Sequence, residues 1–330
     1  MYNNFQASYL KISEDDFQRR IDKLIYKLTS CDICPHDCFV NRQENVLGKC
    51  LSGFLPIVSS YTLHFGEEPV LSGRNGAGNI FFGNCNLKCI YCQNYEISQN
   101  YKEEKKNEVS FERLAEIMID LQNQNAHNIG LVSPTHFTPQ IMKSIFLAKK
   151  NGLHLPIIYN TNAYDSVEVL KEFHNVIDIY LPDFKYGKDE IGKKLSKVTN
   201  YFQKACESIS EMFNQVGDEL IYENGIVVRG LIIRHLILPN DLAESERVFE
   251  FIAKKLSPKI HISVMAQYYP TNKADKEILI NRTIRASEYE RILDLLEKYN
   301  LENGWAQEFE SQNYYRPQFI KDRANPFGNK

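Results

Sequence analysis

The chain has 330 residues, 43% of them hydrophobic and 25% charged, with a formal net charge of −3. That length suits one large α/β domain plus an appendage, or two ordinary domains, and the balance is that of a folded globular protein rather than a disordered one. The near-neutral charge excludes a strongly cationic nucleic-acid binder, no run approaches the ~20 apolar residues of a spanning helix, and the first residues lack the apolar stretch of a secretory leader.

A cytoplasmic location is therefore expected, where eight cysteines serve as metal ligands or catalysts rather than as disulfides. Seven of them precede residue 93, in two groups. Residues 1–75 read as an N-terminal extension. Within it Phe17, Ile21, Leu24, Ile25 and Leu28 recur at helical spacing over Glu14–Leu28. Next comes a cysteine-rich loop over residues 31–50, punctuated by Pro35 and Gly48. Cys31, Cys34, Cys38 and Cys50 suit a tetrahedral zinc, a second 4Fe–4S cluster, or a metal-free set of thiols. His36 is a spare ligand candidate. The loop has too few apolar residues to fold unaided, so a metal staple is expected. Leu51–Gly78 alternates short apolar runs with glycines, as an irregular or hairpin segment does.

A regular alternation occupies residues 76–300. Candidate strands are Asn79–Gly83, Asn128–Val132, Leu155–Tyr159, Val176–Leu181, Ile226–Leu236 and His261–Ala266. Ser110 opens a helix with Phe111, Leu114, Ile117, Met118 and Leu121 on one face. Thr138 is an N-cap with Pro139 first in the helix and Gly152 as its stop. Further helices are expected over Ser166–Phe173, Asn200–Gln215 and Glu244–Leu256, and a capping box of Ser287 and Glu290 opens the last, which ends near Asn300. The lysines between Lys102 and Lys106, interrupted by Glu103 and Glu104, read as a solvated loop. Six strands, most followed by a helix, imply a parallel sheet; six units are too few for a closed eight-fold barrel. The expected fold class is α/β, an open partial (β/α)6 TIM-like barrel with ligands at the C-terminal strand ends. Residues 301–330 form a tail on that core, whose Trp305–Pro317 stretch either closes over substrate or caps the barrel bottom.

The second group, Cys85-Asn-Leu-Lys-Cys89-Ile-Tyr-Cys92, falls in the loop after the first of these strands. Thiolates favour zinc and the irons of iron–sulfur clusters, and closed sites take four protein ligands. Three thiolates leave one iron of a 4Fe–4S cluster open. A zinc site with a distant fourth ligand and a thiol redox relay are the competing readings. Cys206, mid-helix beside Ala205, reads as core.

The run Gly78-Asn-Ile-Phe-Phe-Gly-Asn-Cys85 through Cys92-Gln-Asn-Tyr resembles the radical S-adenosylmethionine (SAM) superfamily. More narrowly, it is similar to a branch of uncharacterised Fe–S proteins related to the pyruvate formate-lyase activating enzyme. That similarity also takes in His64-Phe-Gly-Glu-Glu-Pro, Pro182-Asp-Phe-Lys185, Arg234-His-Leu-Ile-Leu-Pro239 and Met265-Ala-Gln-Tyr268. The resemblance implies a 4Fe–4S cluster on Cys85, Cys89 and Cys92 whose open iron chelates S-adenosyl-L-methionine. It also implies a low-potential flavodoxin or ferredoxin as electron donor, and reductive cleavage of SAM to a 5′-deoxyadenosyl radical that abstracts hydrogen.

Tyr91 matches the aromatic that this motif carries before its last cysteine, and Asn94 supplies polar surroundings. The family's Gly-Gly-Glu-like turn is replaced by Val132-Ser-Pro-Thr-His136, so Ser133 and Thr135 are the candidates for the SAM amine. Asn160, Thr161 and Asn162 match a strand-end segment of activating enzymes. Lys185 is placed to pair with the SAM carboxylate and Asp183 to accept from the ribose or bind a cation. Arg234, inside an apolar strand, needs an anion: the SAM carboxylate, or a structural Asp or Glu. His235 alternates to the other face as a core residue. Gln267 and Met265 stand near the adenine, with packing the main role of Met265. The resemblance points to a protein substrate, as in activation of a glycyl-radical enzyme. Modification of a small molecule, peptide or RNA is the alternative; a non-catalytic Fe–S redox sensor or a zinc-stabilised binding module is the reading from outside enzymology.

Overall fold

β-Branched and aromatic runs gather into one sheet in a computed structural model that describes residues 5–313 and 316–328. The strands are β1 (Val58–His64), β2 (Ala77–Phe82), β3 (Ile129–Val132), β4 (Ile157–Thr161), β5 (Ile179–Pro182), β6 (Ile221–Glu223), β7 (Ile226–Leu236), β8 (His261–Met265) and β9 (Gly304–Ala306). Their order is β1-β2-β3-β4-β5-β7-β8-β9, with β6 hairpinned onto β7. From β2 to β9 along this path every pairing is parallel, whereas β1 runs antiparallel to β2. The two edges do not meet, so the barrel is open, as expected for a partial TIM-like α/β fold. The six anticipated strands are β2, β3, β4, β5, β7 and β8. Residues of β2, β3 and β5 are buried throughout, as in parallel sheets covered on both faces.

Three further strands were not legible. The polar Ser59, Ser60 and Thr62 disguise β1, and β9 is only three residues long. Gly304 admits β9: its φ is +125°, and a Cβ there would meet the Ile262 carbonyl oxygen at 1.9 Å.

The helices follow the expected faces with shifts at their ends. Ser13 and Ser110 cap Glu14–Tyr26 and Phe111–Asn123 by accepting from the N–H groups of Asp16 and Arg113. Thr138 is the first helical residue of Thr138–Lys150 and not its cap, which is Phe137. The last helix, Ala286–Lys298, is capped at Arg285, where Glu288 rather than Glu290 accepts the N–H of the cap residue at 2.8 Å. Residues 102–106 are not simply a solvated loop. Glu104 is fully buried and pairs with Arg323 at 2.8 Å, because the tail folds over it, while the neighbouring lysines stay exposed.

The N-terminal segment touches both ends of the barrel. At the end where β4 and β5 begin, Ser8 donates its N–H to Asp178 Oδ1 (2.9 Å) and the Tyr9 hydroxyl donates to the Leu155 carbonyl (3.0 Å). At the opposite end, the Tyr164 hydroxyl donates to the Pro35 carbonyl (3.3 Å) and Arg42 to the His136 carbonyl (2.7 Å). Among the described residues no helix is long and apolar enough to cross a membrane.

Asp178 also accepts from the Ile157 N–H (3.1 Å), yet burial pushes its carboxyl up to about 6. Its folded value lies above the unfolded one, so the native state binds more protons through this window and stability falls as pH rises from about 4 to 6. Urea titrations across that range are expected to show this loss, on the order of 3 kcal/mol, in the wild type and not in Asp178→Asn. Equal slopes in both proteins would remove Asp178 from the account.

Candidate active site

Three neighbouring strands end in left-handed backbone at non-glycine residues: Asn84 after β2 (φ 63°), Ser133 after β3 (φ 58°) and Ala163 after β4 (φ 61°). Such conformations persist where the surroundings fix them, and they cluster at functional sites. Here they turn the chain sharply around a cavity of about 730 Å³ at the C-terminal strand ends. That is within the range of small-molecule and cofactor sites.

Cys85, Cys89 and Cys92 all line this cavity, and each sulfur has its own donor. The Leu87 N–H (3.4 Å) and the Asn162 side-chain amide (3.6 Å) reach Cys85. Ser196 Oγ lies 2.9 Å from Cys89, and Ser98 Oγ 3.2 Å from Cys92. Burial pushes the Cys89 thiol up to about 12 and those of Cys85 and Cys92 upward, with the Lys185 ammonium pulling back on all three. A resident cation is what would hold such thiols ionised. Three donor-served sulfurs at the edge of one cavity have the chemistry to hold a 4Fe–4S cluster with one open iron.

Of the other expected residues, Tyr91, Asn94, Ser133, Asn160, Thr161, Asp183, Lys185, Arg234 and Gln267 line the same cavity. Lys185 Nζ pairs with Asp183 Oδ2 at 2.6 Å. Burial works against the Lys185 charge, but Asp183 outweighs it and the ammonium persists. Gln267 is oriented by two amides: Gln307 donates to its Oε1 (3.1 Å) and Gln93 to its carbonyl (3.1 Å). Thr135 departs from expectation. It is buried behind the cavity wall, 3.2 Å from the Thr161 hydroxyl, which in turn donates to Asp165 (2.6 Å). It props Thr161 and does not face the cavity.

Arg234 also departs. Its guanidinium is bidentate on Glu68 (2.8 and 2.7 Å) and bonds Glu67, so its anion is a pair of protein carboxylates. Burial raises the Glu67 carboxyl, but Arg234 and His64 outweigh it and hold the group at about 2. His235 is, as expected, a core residue: it is fully buried between the Phe184 carbonyl (2.7 Å) and Ser245 Oγ (2.8 Å), and burial lowers its ring to about 4. Met265 lines the cavity, mostly buried.

Glu67, Glu68, Ser98 and Ser196 were missed as site residues. Two adjacent acids before Pro69, with a lone arginine in an apolar strand, were a readable signal. Ser196 was not, since its position depends on the short helix Asp189–Ser196 that ends there. The tail contributes Glu308, Ser311, Pro317 and Phe327 to the cavity, so it lies on the mouth side rather than at the barrel bottom. Tyr314 and Tyr315, part of the same expected segment, lie outside the described residues.

A buried hydroxyl chain ends on one sulfur. Tyr91 and Tyr186 hydroxyls are 2.5 Å apart, Tyr186 and Ser196 hydroxyls 2.6 Å, and Ser196 meets Cys89. Once Cys89 is a thiolate, only the serine can donate, and donors to cluster sulfurs raise reduction potentials. Ser196→Ala is expected to lower the potential of a cluster held here by tens of millivolts, roughly the worth of one hydrogen bond to a charged group. An EPR-monitored potentiometric titration measures this, and an unchanged midpoint would refute the role.

A profile described as the radical SAM superfamily matches residues 79–230. The uncharacterized protein MJ0674 of Methanocaldococcus jannaschii is 35% identical over 317 residues, covering 91% of this chain and 84% of that protein. A second uncharacterized protein of that organism, MJ0808, is 26% identical over 196 residues, covering 54% of this chain and 55% of that protein. Among solved structures, methylornithine synthase (PylB) is similar at 12% identity and a TM-score of 0.43, covering 90% of this chain and 75% of that one. The FeFe-hydrogenase maturase HydG from Carboxydothermus hydrogenoformans is similar at 14% identity and a TM-score of 0.48, covering 97% of this chain and 64% of that one.

Proposed function

Because this chain belongs to the radical SAM superfamily, we infer that Cys85, Cys89 and Cys92 hold its 4Fe–4S cluster, with SAM bound beside it at the strand ends. Membership makes it an enzyme whose cofactors are that cluster and S-adenosyl-L-methionine, supplied with electrons by a reductant such as flavodoxin or ferredoxin. When bound, the cluster supplies the electron that cleaves SAM to methionine and a 5′-deoxyadenosyl radical. The observation that carries the site reading is the single cavity that brings the three thiols together with the Asp183–Lys185 pair. Lys185 stays charged beside Asp183 and offers an ammonium to the SAM carboxylate. Asp183 keeps one oxygen outside that ion pair for a ribose hydroxyl. Asn160, Ser133 and Gln267 add polar atoms along the wall, and Glu67 and Glu68, both tied to Arg234, supply negative charge for the SAM amine.

The substrate reading is hydrogen abstraction from a protein, as by an activating enzyme of the pyruvate formate-lyase kind. Besides the resemblance of its motifs, large exposed apolar side chains stand at the cavity: Phe65 on its lining and Tyr95 next to Asn94. Exposed apolar side chains at the rim of a site offer a macromolecular substrate a surface to dock on.

The test is anaerobic reconstitution with iron and sulfide, followed by SAM and dithionite. Release of 5′-deoxyadenosine is expected; none from a fully iron-loaded protein would overturn the enzymatic reading of these residues. A peptide carrying α-deuterated glycine is then expected to pass deuterium into the 5′-deoxyadenosine. Cleavage without deuterium transfer would favour a small-molecule or RNA substrate.

A further inference from the structure

We propose that Cys31, Cys34, Cys38 and Cys50 hold a second 4Fe–4S cluster, closed by four thiolates and packed against the loop that carries Cys85. Cys31, Cys34 and Cys50 are buried and Cys38 is half-buried at the surface edge. Cys34 lies within electrostatic reach of the other three sulfurs. The backbone treats these sulfurs as it treats the first group. The N–H of Ile33 serves Cys31 and that of His36 serves Cys34, two residues on in each case, as Leu87 serves Cys85 and Asn94 serves Cys92. Lys49 donates its N–H to Cys38 Sγ at 3.4 Å.

The surroundings are built for a negatively charged group. Arg42 is 1% exposed, and its guanidinium reaches the Cys31 sulfur while donating to the carbonyls of Gly53 and His136. Gly48 leaves room against a ligand: a Cβ there would stand 2.9 Å from Cys38 Sγ. Asp37 and Phe39, on either side of Cys38, and Leu51, after Cys50, are all left-handed (φ 41°, 51° and 61°). Three non-glycine residues in that region are costly unless something fixes the loop.

The donor pattern shared with Cys85 and Cys92, which rests on the reading of those two as cluster ligands, favours a cluster over one ion. Among the described residues, no three His, Cys, Asp or Glu side chains are gathered so as to hold one metal ion, and this holds equally for Cys85, Cys89 and Cys92. The two groups are joined directly: His36 bonds the Asn86 carbonyl at 2.7 Å, next to Cys85, and Asn84 donates to the Leu51 carbonyl at 3.0 Å, next to Cys50.

Iron, sulfide and zinc analysis of the reconstituted full chain tests this independently of SAM cleavage. The wild type is expected to hold about eight irons and no stoichiometric zinc. The variant lacking the first group (Cys85→Ala, Cys89→Ala, Cys92→Ala) is expected to keep about four, with an EPR signal on dithionite reduction that SAM does not alter. Gly48→Val, which retains every thiol, is expected to lose about four irons and keep the SAM-sensitive signal. About four irons in the wild type, all lost in the triple variant, would overturn the proposal. So would one zinc per chain that survives in the triple variant. Neither outcome touches the reading of Cys85, Cys89 and Cys92, which stands or falls on 5′-deoxyadenosine release. Should Gly48→Val fail to fold, the wild type and triple variant decide alone.

Discussion

Cys89→Ala is expected to abolish 5′-deoxyadenosine formation, by roughly a thousand-fold or more, because the cofactor carries the chemistry and the protein only positions it. Cys89 is buried, lines the cavity between Cys85 and Cys92, and meets the Ser196 hydroxyl at 2.9 Å. No other described cysteine lines that cavity, so no thiol is at hand to replace it. Cys206→Ala is the matched control: it sits half-buried in the helix Tyr201–Val216, away from the lining, and its loss is expected to leave both iron content and turnover unchanged. Product chromatography beside iron analysis reads both variants. Full activity in Cys89→Ala would sink the ligand assignment.

Arg234→Met is expected to cost about 3–5 kcal/mol of stability, the usual consequence of removing one partner from a buried charge cluster. Glu67, Glu68 and Arg234 have side chains only 9%, 6% and 12% exposed, so the loss leaves two carboxylates facing each other without a cation. Replacing all three by Arg234→Met, Glu67→Gln and Glu68→Gln is expected to restore most of the loss, since neutral amides tolerate burial better than unpaired charges. Urea unfolding followed by far-UV CD gives the comparison. A single-variant loss below about 1 kcal/mol would mean that the cluster is wetter than its burial indicates.

The parallel strands were legible because buried runs such as Ile129–Val132 are short, apolar and separated by helical patterns. The three thiols were legible as a group from their spacing, and what they hold only from the family resemblance. What the sequence hid was relational. Arg234 announced that it needed an anion but not which one, because Glu67 and Glu68 lie 167 and 166 residues away along the chain. Thr135 and Thr161 look alike as strand-end hydroxyls, and only the turn at Ser133 decides that one faces the cavity and the other its back. Ser196 needed the helix Asp189–Ser196 to be packed under Cys89 before its hydroxyl meant anything.

The anchoring of residues 8 and 9 on the far end of the barrel has a consequence for how the chain comes to be folded during synthesis. Their partners, Asp178 and Leu155, lie 170 and 146 residues later. Contacts of such separation form late and slow the approach to the native state. The first residues therefore cannot settle until the chain through Asp178 has been made, long after both cysteine groups have left the ribosome.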